Sequence, residues 1–364
     1  MTTTNSKPFK TYFFRGFLTL LAFTIFSAVF PGCSVGYVVR SAYFQAELLG
    51  KREPIEKLRA AQHFNPDELR ALDRIRDVKQ YGAEIGLKAT DNYDTFATNW
   101  NRKIWNISAC EELAFEPKRW TFPVVGKIPY LGFFRRQDAD PWIRRLEKKG
   151  YETYIRTAGA YSTLGWFKDP VLPGMLKWND YRLADTVLHE LAHATLWIKG
   201  SVKFNESFAN FVGEVAAFQY LEDRFGPNSE AVNKAKSRHE DIKKWRTVLR
   251  ELYQDLQSVY KNDALTQEQK REQKAALFGS LPARVAKAQL QKPDRFNKAI
   301  TKGTWNNARM VQYKTYNHNR DYFRAIYEKE GQDLLRFMTA IEGITKGKTD
   351  PFKALKKEAE SHQK

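Results

Sequence analysis

The chain has 364 residues, 42% hydrophobic and 14% aromatic, enough apolar material for a packed interior and too much for a disordered chain. Its two cysteines, Cys33 and Cys110, exclude a disulfide framework. Lysines and arginines number 60 against 42 acidic residues, a net charge of +18. No zinc finger, RNA-recognition signature or glycine-rich phosphate loop accompanies that charge. It reads as a solvated basic surface facing anionic envelope components, with nucleic acid excluded as the partner.

At the N-terminus, Lys7, Lys10 and Arg15 precede an apolar run from Gly16 to Phe30, and Pro31-Gly32-Cys33-Ser34 follows. This order resembles a bacterial lipoprotein signal over residues 1–32, with Cys33 as the lipidated residue. An uncleaved signal anchor is the alternative, although a run of about 15 apolar residues is short for a span. Either arrangement places the body of the chain in the bacterial envelope, on the periplasmic side and tethered to a membrane.

Residues 33–90 read as helical. Tyr37 to Leu49 leads away from the membrane, and Pro54 to His63 and Pro66 to Leu87 follow. In the last, Leu69, Leu72, Ile75, Val78 and Ile85 recur at helical spacing, and Asn65-Pro66-Asp67-Glu68 is a capped start. Strand signals begin at residue 91. Thr98 to Ser108 is aromatic and β-branched, and Arg119 to Val125 and Pro129 to Phe134 flank a Gly126-Lys127 turn. Asp138 to Lys149 is an amphipathic helix, Tyr151 to Thr157 alternates as a strand, and Ala160 to Phe167 is extended. Within that last stretch Tyr161, Ser162, Thr163 and Leu164 can form an edge strand that binds an extended peptide by strand addition. The order predicts an α+β fold over 91–226, a small twisted sheet with helices packed on it.

The chemistry concentrates in Asp185 to Ala209. Residues 182–199 hold neither proline nor glycine and are apolar on most sides, which predicts a buried helix capped by Asn179 or Asp180 and ended at Gly200. On it His189 and His193 stand one turn apart on one face, where two imidazoles can bind one Zn²⁺. Glu190 lies about 100° round the helix and can reach a metal-coordinated water without being a ligand. A return helix beginning near Phe204 brings Glu206 back towards His193. Two histidines and a glutamate with a position open for water are the ligand set of a catalytic zinc site. Asn210, one turn after Glu206, is placed to hydrogen-bond a ligand.

Beyond Gly226-Pro227, residues 227–303 read as a basic helical hairpin. Ile242, Trp245, Leu249, Leu252, Leu256 and Val259 form its stripe and Thr266 to Phe278 its second helix. It is either a structural arm or a lid. Residues 304–364 form a C-terminal helical segment that completes the cleft. A metallopeptidase needs a donor to the oxyanion of its tetrahedral intermediate. Tyr316 is the first candidate, with Tyr313, His318 and Arg309 beside it.

These residues resemble a bacterial zinc aminopeptidase family of envelope lipoproteins with a gluzincin-type site. The matching stretches are Gly32-Cys33-Ser34 with Gly36-Tyr37, Phe122 to Phe134, Ala160 to Pro170, His189 to His193, Asn205 to Ala209, and Asn306-Asn307-Ala308. The resemblance implies a gluzincin-like core and a peptide substrate. It also implies zinc on His189, His193 and Glu206, with Glu190 as general base. The alternative is a non-catalytic, metal-stabilised envelope protein that binds peptides or cell-wall components.

Overall fold

The computed structural model describes residues 35–122, 126–158, 168–301, 303–316 and 320–361. The chain enters on α1 (Val35–Gly50), which buries Phe44 and Leu48. Tyr37 on this helix donates through its hydroxyl to the Gly132 carbonyl at 3.1 Å and packs edge-on against Phe133 and Trp142. Strand β1 (Arg52–Pro54) and helices α2 (Ile55–Ala60) and α3 (Pro66–Glu84) follow. The expected cap on α3 is present in full. Asn65 accepts from the Glu68 amide, and the Glu68 carboxylate accepts from the Asn65 amide.

The α+β class holds, but its β part is not one sheet. Among the described residues there are three small antiparallel sheets. β1 pairs with β2 (Thr95–Ala97). β3 (Trp105–Glu111) is the centre of a three-stranded sheet, between β6 (Leu131–Phe133) and β7 (Tyr151–Thr157). β4 (Trp120–Phe122) pairs with β5 (Gly126–Ile128).

Two expectations are corrected here. The strand expected from Thr98 begins only at Trp105. The stretch before it carries Asn99 at φ +53° and turns Trp100, 4% exposed, into the core. Gly126 and Lys127 are not a turn but the first residues of β5, opposite Phe122 and Thr121. By contrast, β7 has the expected bounds. α4 (Arg136–Glu147) covers the three-stranded sheet and closes a cluster of Ile107, Leu131, Phe133, Ala139 and Leu146.

After a 3-10 turn at Met175–Lys177 come the two central helices, α5 (Asp180–Thr195) and α6 (Val202–Phe225). They do not lie on the sheet, as the strand order suggested. α5 packs against α3 and α6 in a largely helical core, because its buried residues Leu183, Val187, Leu188 and Leu191 cover most of its surface. The C-terminal helices α12 (Arg320–Lys329), α13 (Leu334–Thr345) and α14 (Pro351–Glu360) close this core through Phe323, Phe337, Ile341 and Leu355.

Between them, α7 (Glu230–Lys261) and α8 (Gln267–Gly279) form the expected hairpin. Val248, Leu249, Leu252 and Leu256 are its buried seam. Burial of a residue of this kind stabilises by about 1.5–3 kcal/mol. Two further helices, α9 (Leu281–Lys287) and α10 (Pro293–Thr301), add Leu281, Val285 and Phe296 to that seam, so the arm carries its own core.

The arm and the sheet meet at α11 (Asn307–Tyr316), where Asn307 is fully buried. Its Nδ2 donates to the carbonyls of Glu111 and Glu112 at 3.0 and 2.9 Å, and its Oδ1 accepts from the Tyr260 hydroxyl at 2.7 Å. Its amide donates to Glu152 at 2.7 Å, and the other oxygen of Glu152 pairs with the buried Lys274 of α8. No helix among the described residues is long and apolar enough to cross a membrane.

Candidate metal centre

Three devices bring α5 and α6 together at the site. Asn179 starts α5 by accepting from the Arg182 amide at 2.9 Å, as one of the two expected caps. α5 then ends at Thr195, four residues before the expected Lys199, because tertiary bonds take the chain out of the helix. The Thr195 hydroxyl donates to Leu191 O at 2.7 Å and accepts from the Lys88 amide at 2.9 Å. Leu196 is extended, at φ −136° and ψ 116°. Two residues later the fully buried Asn205 holds both main-chain groups of Ile198. Its Oδ1 accepts from Ile198 N–H at 2.9 Å and its Nδ2 donates to Ile198 O at 2.8 Å. The reversal is completed at Gly200, φ +79°. Asn205 therefore fixes the start of α6 against the end of α5, and the next residue is Glu206.

The third device is Gly213. A Cβ there would stand 2.8 Å from the Asp185 carbonyl oxygen and 3.1 Å from His189 Cβ. Only a glycine lets α6 approach the histidine-bearing face of α5 this closely.

The result is a convergent donor set. His189, His193 and Glu206 offer ligand atoms that all lie within 4.8 Å of one another. Glu206 Oε2 is 3.8 Å from Nε2 of each histidine. The two imidazoles are perpendicular, with ring centroids 4.6 Å apart, and Trp197 meets the edge of His193 at 5.4 Å. His193 and Glu206 are each 5% exposed, so whatever compensates their polarity must be local.

Electrostatics fit that picture. Burial, and then the neighbouring His193, lower His189 to about 3, which keeps it neutral and able to ligate at ordinary pH. Burial works against protonation of His193 too, but the facing Glu206 carboxylate outweighs it and raises that pKa. Burial likewise disfavours the Glu206 charge. Contact with His193, and the charges of His193, His189 and Arg156, outweigh it and hold the carboxyl below its usual range.

The residues fit a metal ion. Zinc bonds of about 2.0–2.1 Å in a tetrahedron need donors about 3.4 Å apart. The observed 3.8 Å separations differ from this by a side-chain adjustment. His193 Nδ1 is buried and has no hydrogen-bond partner among the described residues, while its Nε2 faces Glu206 Oε2 at 3.8 Å, where the donors converge.

Glu190 is half-buried on the adjoining face of α5. Burial, and then the charges of Glu190 and Asp169, raise the Tyr93 phenol well above its ordinary pKa. Asn210 donates to the main-chain carbonyl of Glu206 at 2.7 Å and so braces the ligand's helical turn. Arg309 stacks over Trp305 at 4.0 Å and donates to Ala299 O at 2.7 Å, which ties α11 to α10. Cys33, Tyr161, Ser162, Thr163, Leu164 and His318 lie outside the described residues, as do the side chains of Tyr313 and Tyr316.

Sequence reasoning missed Asn205, Gly213, Tyr93 and Asp185. The first two left signals: an asparagine just before the glutamate, and a glycine inside an apolar helix. Asp185 sits one turn before His189, and burial followed by the charge of Glu214 raises it to about 7. Glu214 itself is held ionised, despite burial, by Arg320 at 2.6 Å and Arg246 at 3.0 Å.

Neither a curated protein nor a solved structure matches the chain. A family model described as "Putative aminopeptidase" matches residues 36–355, a span that contains every residue of this centre, and the chain belongs to that family.

Proposed function

We propose that the protein is a zinc-dependent metallopeptidase with a gluzincin-like core, acting as an aminopeptidase tethered in the bacterial envelope. Membership of the family supports the peptidase activity. The observation that carries the zinc reading is the convergence of His189, His193 and Glu206 on one point. When bound there, zinc supplies a Lewis acid that polarises the scissile carbonyl and acidifies the attacking water. His189 and His193 from one helix and Glu206 from the next would hold it. Glu190, one residue along from His189, takes the proton of the attacking water and delivers it to the leaving amine. The peptide extends along the stretch Tyr161 to Leu164, and Tyr316 donates to the oxyanion.

The tether rests on the basic, apolar and cysteine-bearing pattern of residues 1–33. Intact mass of the protein purified from membranes tests it: lipidation adds acyl mass at Cys33. A free, unmodified Met1 start would leave the signal anchor.

The activity is tested with a peptide library holding free and acetylated N-termini, incubated with zinc-loaded protein and read by mass spectrometry. Glu190→Gln serves as blank. Stepwise trimming of free ends alone is expected. Internal cuts indifferent to acetylation would make the enzyme an endopeptidase, and no difference from the blank would remove the peptidase reading.

A further inference from the structure

Arg182 on α5, Arg238 on α7 and Arg295 in the first turn of α10 come from three different elements. Among the described residues, none of their guanidinium groups has a hydrogen bond or an ion pair. Elsewhere on the arm the arginines are used: Arg246 pairs with Glu214 at 3.0 Å and Arg284 with Asp255 at 2.7 Å. Arg182 and Arg295 are exposed, so water serves them. Arg238 is half-buried, and its Nε is buried outright with no partner. A buried guanidinium nitrogen left unpaired is costly and calls for an acceptor.

Contacts gather the three at the start of α5. Arg182 lies over the Trp178 ring at 3.9 Å, and Arg238 lies over the ring of Tyr181, the residue before Arg182, at 5.9 Å. The entry to α10 is fastened to α7 on either side of Arg238. The Ser237 hydroxyl donates to Gln291 Oε1 at 2.6 Å, and the Asp241 carboxylate accepts from the amides of Gln291 and Lys292 at 2.7 and 2.9 Å. Arg295 follows in the next turn. The charges act on one another accordingly. Burial, and then the charge of Arg238, lower the Arg182 guanidinium, and burial, and then the charges of Arg238 and Arg182, lower that of Arg295. The acids nearby do not neutralise them. Asp241 spends both oxygens on main-chain amides, and Asp185, one turn after Arg182, forms an ion pair with none of the three.

The cluster also has a fixed relation to the candidate metal centre. Arg182 stands two turns before His189 on the same face of α5, about 10 Å along the helix axis, and its guanidinium lies further on, over Trp178. An extended peptide covers about 3.3 Å per residue, so a chain of about three to five residues spans that distance. We propose that Arg182, Arg238 and Arg295 form a carboxylate-binding site for the peptide substrate, which takes a carboxylate about three to five residues beyond the bond that is cut. This rests on the peptidase reading centred on His189. The planar fork of an arginine matches a carboxylate with two parallel hydrogen bonds, and three such forks without acids of their own favour an anion over any other group. For an aminopeptidase the natural source is the C-terminal carboxylate of a short peptide, and the arm then measures the length of the substrate.

The test measures binding apart from turnover, by isothermal titration calorimetry on the zinc-loaded full chain carrying Glu190→Gln. Three probes are used: an alanine pentapeptide with a free C-terminus, its C-terminal amide, and the amide with glutamate as last residue. The free acid should bind about tenfold or more tightly than the plain amide. The glutamate amide distinguishes the sources, since recovery of affinity shows that a side-chain carboxylate also serves and no recovery confines the site to the chain end. Adding Arg238→Gln should bring acid and amide within about twofold of each other. Adding Arg336→Gln, which removes an exposed charge on α13, should leave their ratio as it was. If Arg238→Gln does not fold, Arg182→Gln and Arg295→Gln, both at exposed positions, carry the same test.

Equal affinity for acid and amide would overturn the proposal. So would a ratio that survives loss of the arginines, or one that Arg336→Gln reduces as much, which would mean that net charge alone attracts the peptide. Turnover of the same peptides by the unsubstituted protein separates the two levels. Cleavage with no preference for the acid sinks the carboxylate site and leaves the peptidase reading standing. Acid-selective binding without cleavage does the opposite.

Discussion

Asn307 and the candidate metal centre are both buried polar clusters that join elements distant in sequence, and both rely on an asparagine to do so. At Asn307 each polar atom of the side chain is used, on the carbonyls of Glu111 and Glu112 and on the Tyr260 hydroxyl, and the nearby Lys274 and Glu152 are paired. At the candidate metal centre, Asn205 binds both main-chain groups of Ile198, but its neighbours are less fully paired. His193 Nδ1 lacks a partner among the described residues, and Glu206 Oε2 faces Nε2 of each histidine across 3.8 Å. A saturated cluster stabilises the fold. An under-satisfied one, held in place by a better-paired neighbour, offers its remaining polar atoms to a ligand.

The sharpest way to separate the two is by function against stability. Glu190→Gln should lower kcat by about 10²–10⁴-fold while zinc content and melting temperature stay at wild-type values. Steady-state kinetics on metal-quantified samples check this, and surviving turnover would remove Glu190 as the base.

Asn307→Ala should do the reverse. It removes the acceptor of the Tyr260 hydroxyl and the amide donor to the carbonyls of Glu111, Glu112 and Ala114, and is expected to cost about 2 kcal/mol or more in a urea titration. Turnover per bound zinc in the folded fraction should stay within a few-fold. A loss below 1 kcal/mol would mean that water replaces the lost amide and that the joint between arm and sheet is not held as described.

Gly213→Ala lies between these cases. Its Cβ would meet the Asp185 carbonyl at 2.8 Å, so α6 must move away from α5. A cost of about 1–3 kcal/mol is expected, together with a smaller rise in melting temperature on adding zinc. An undiminished zinc-dependent rise would show that the approach of the helices does not set the ligand geometry.

The smallest effect concerns Asp185, whose folded pKa of about 7 lies above the ordinary carboxyl value of 3.8. The folded state then binds the proton more tightly than the unfolded one, so this group's stabilisation is complete below about pH 4. It is lost as pH rises through 7. Relative to wild type, Asp185→Asn should gain stability progressively as pH rises from about 4 to 7. A difference that does not change with pH would contradict the shift.

The features that the sequence made legible are those written in local pattern. The cap at Asn65 and Glu68, the strand Tyr151–Thr157 and the pairing of His189 with His193 each need only a few neighbouring residues. The return helix and Glu206 were legible because Gly200 marks a reversal of known effect. What was not legible depends on distant partners. Asn205 and Lys88 stop α5 at Thr195 through side-chain and main-chain bonds that no helical propensity encodes. Tyr93 takes up a left-handed conformation imposed by Asp169 and Asn92. Asn306 and Asn307 were noticed as part of a resemblance, but their role as the hub between arm and sheet required the fold. The expectation of one sheet under the motif helix failed for a related reason. Short strands pair with whichever edge the surrounding helices leave open, and strand order alone does not reveal that.

The central claim is that His189, His193 and Glu206 hold one catalytic zinc. It is tested most directly by stripping the protein with a chelator and adding zinc back while peptide turnover and bound metal are measured on the same sample. Turnover should rise linearly and saturate at one equivalent, and Glu206→Ala should bind zinc more weakly and fail to saturate. Full turnover in the stripped protein, or an unchanged titration for Glu206→Ala, would contradict the assignment.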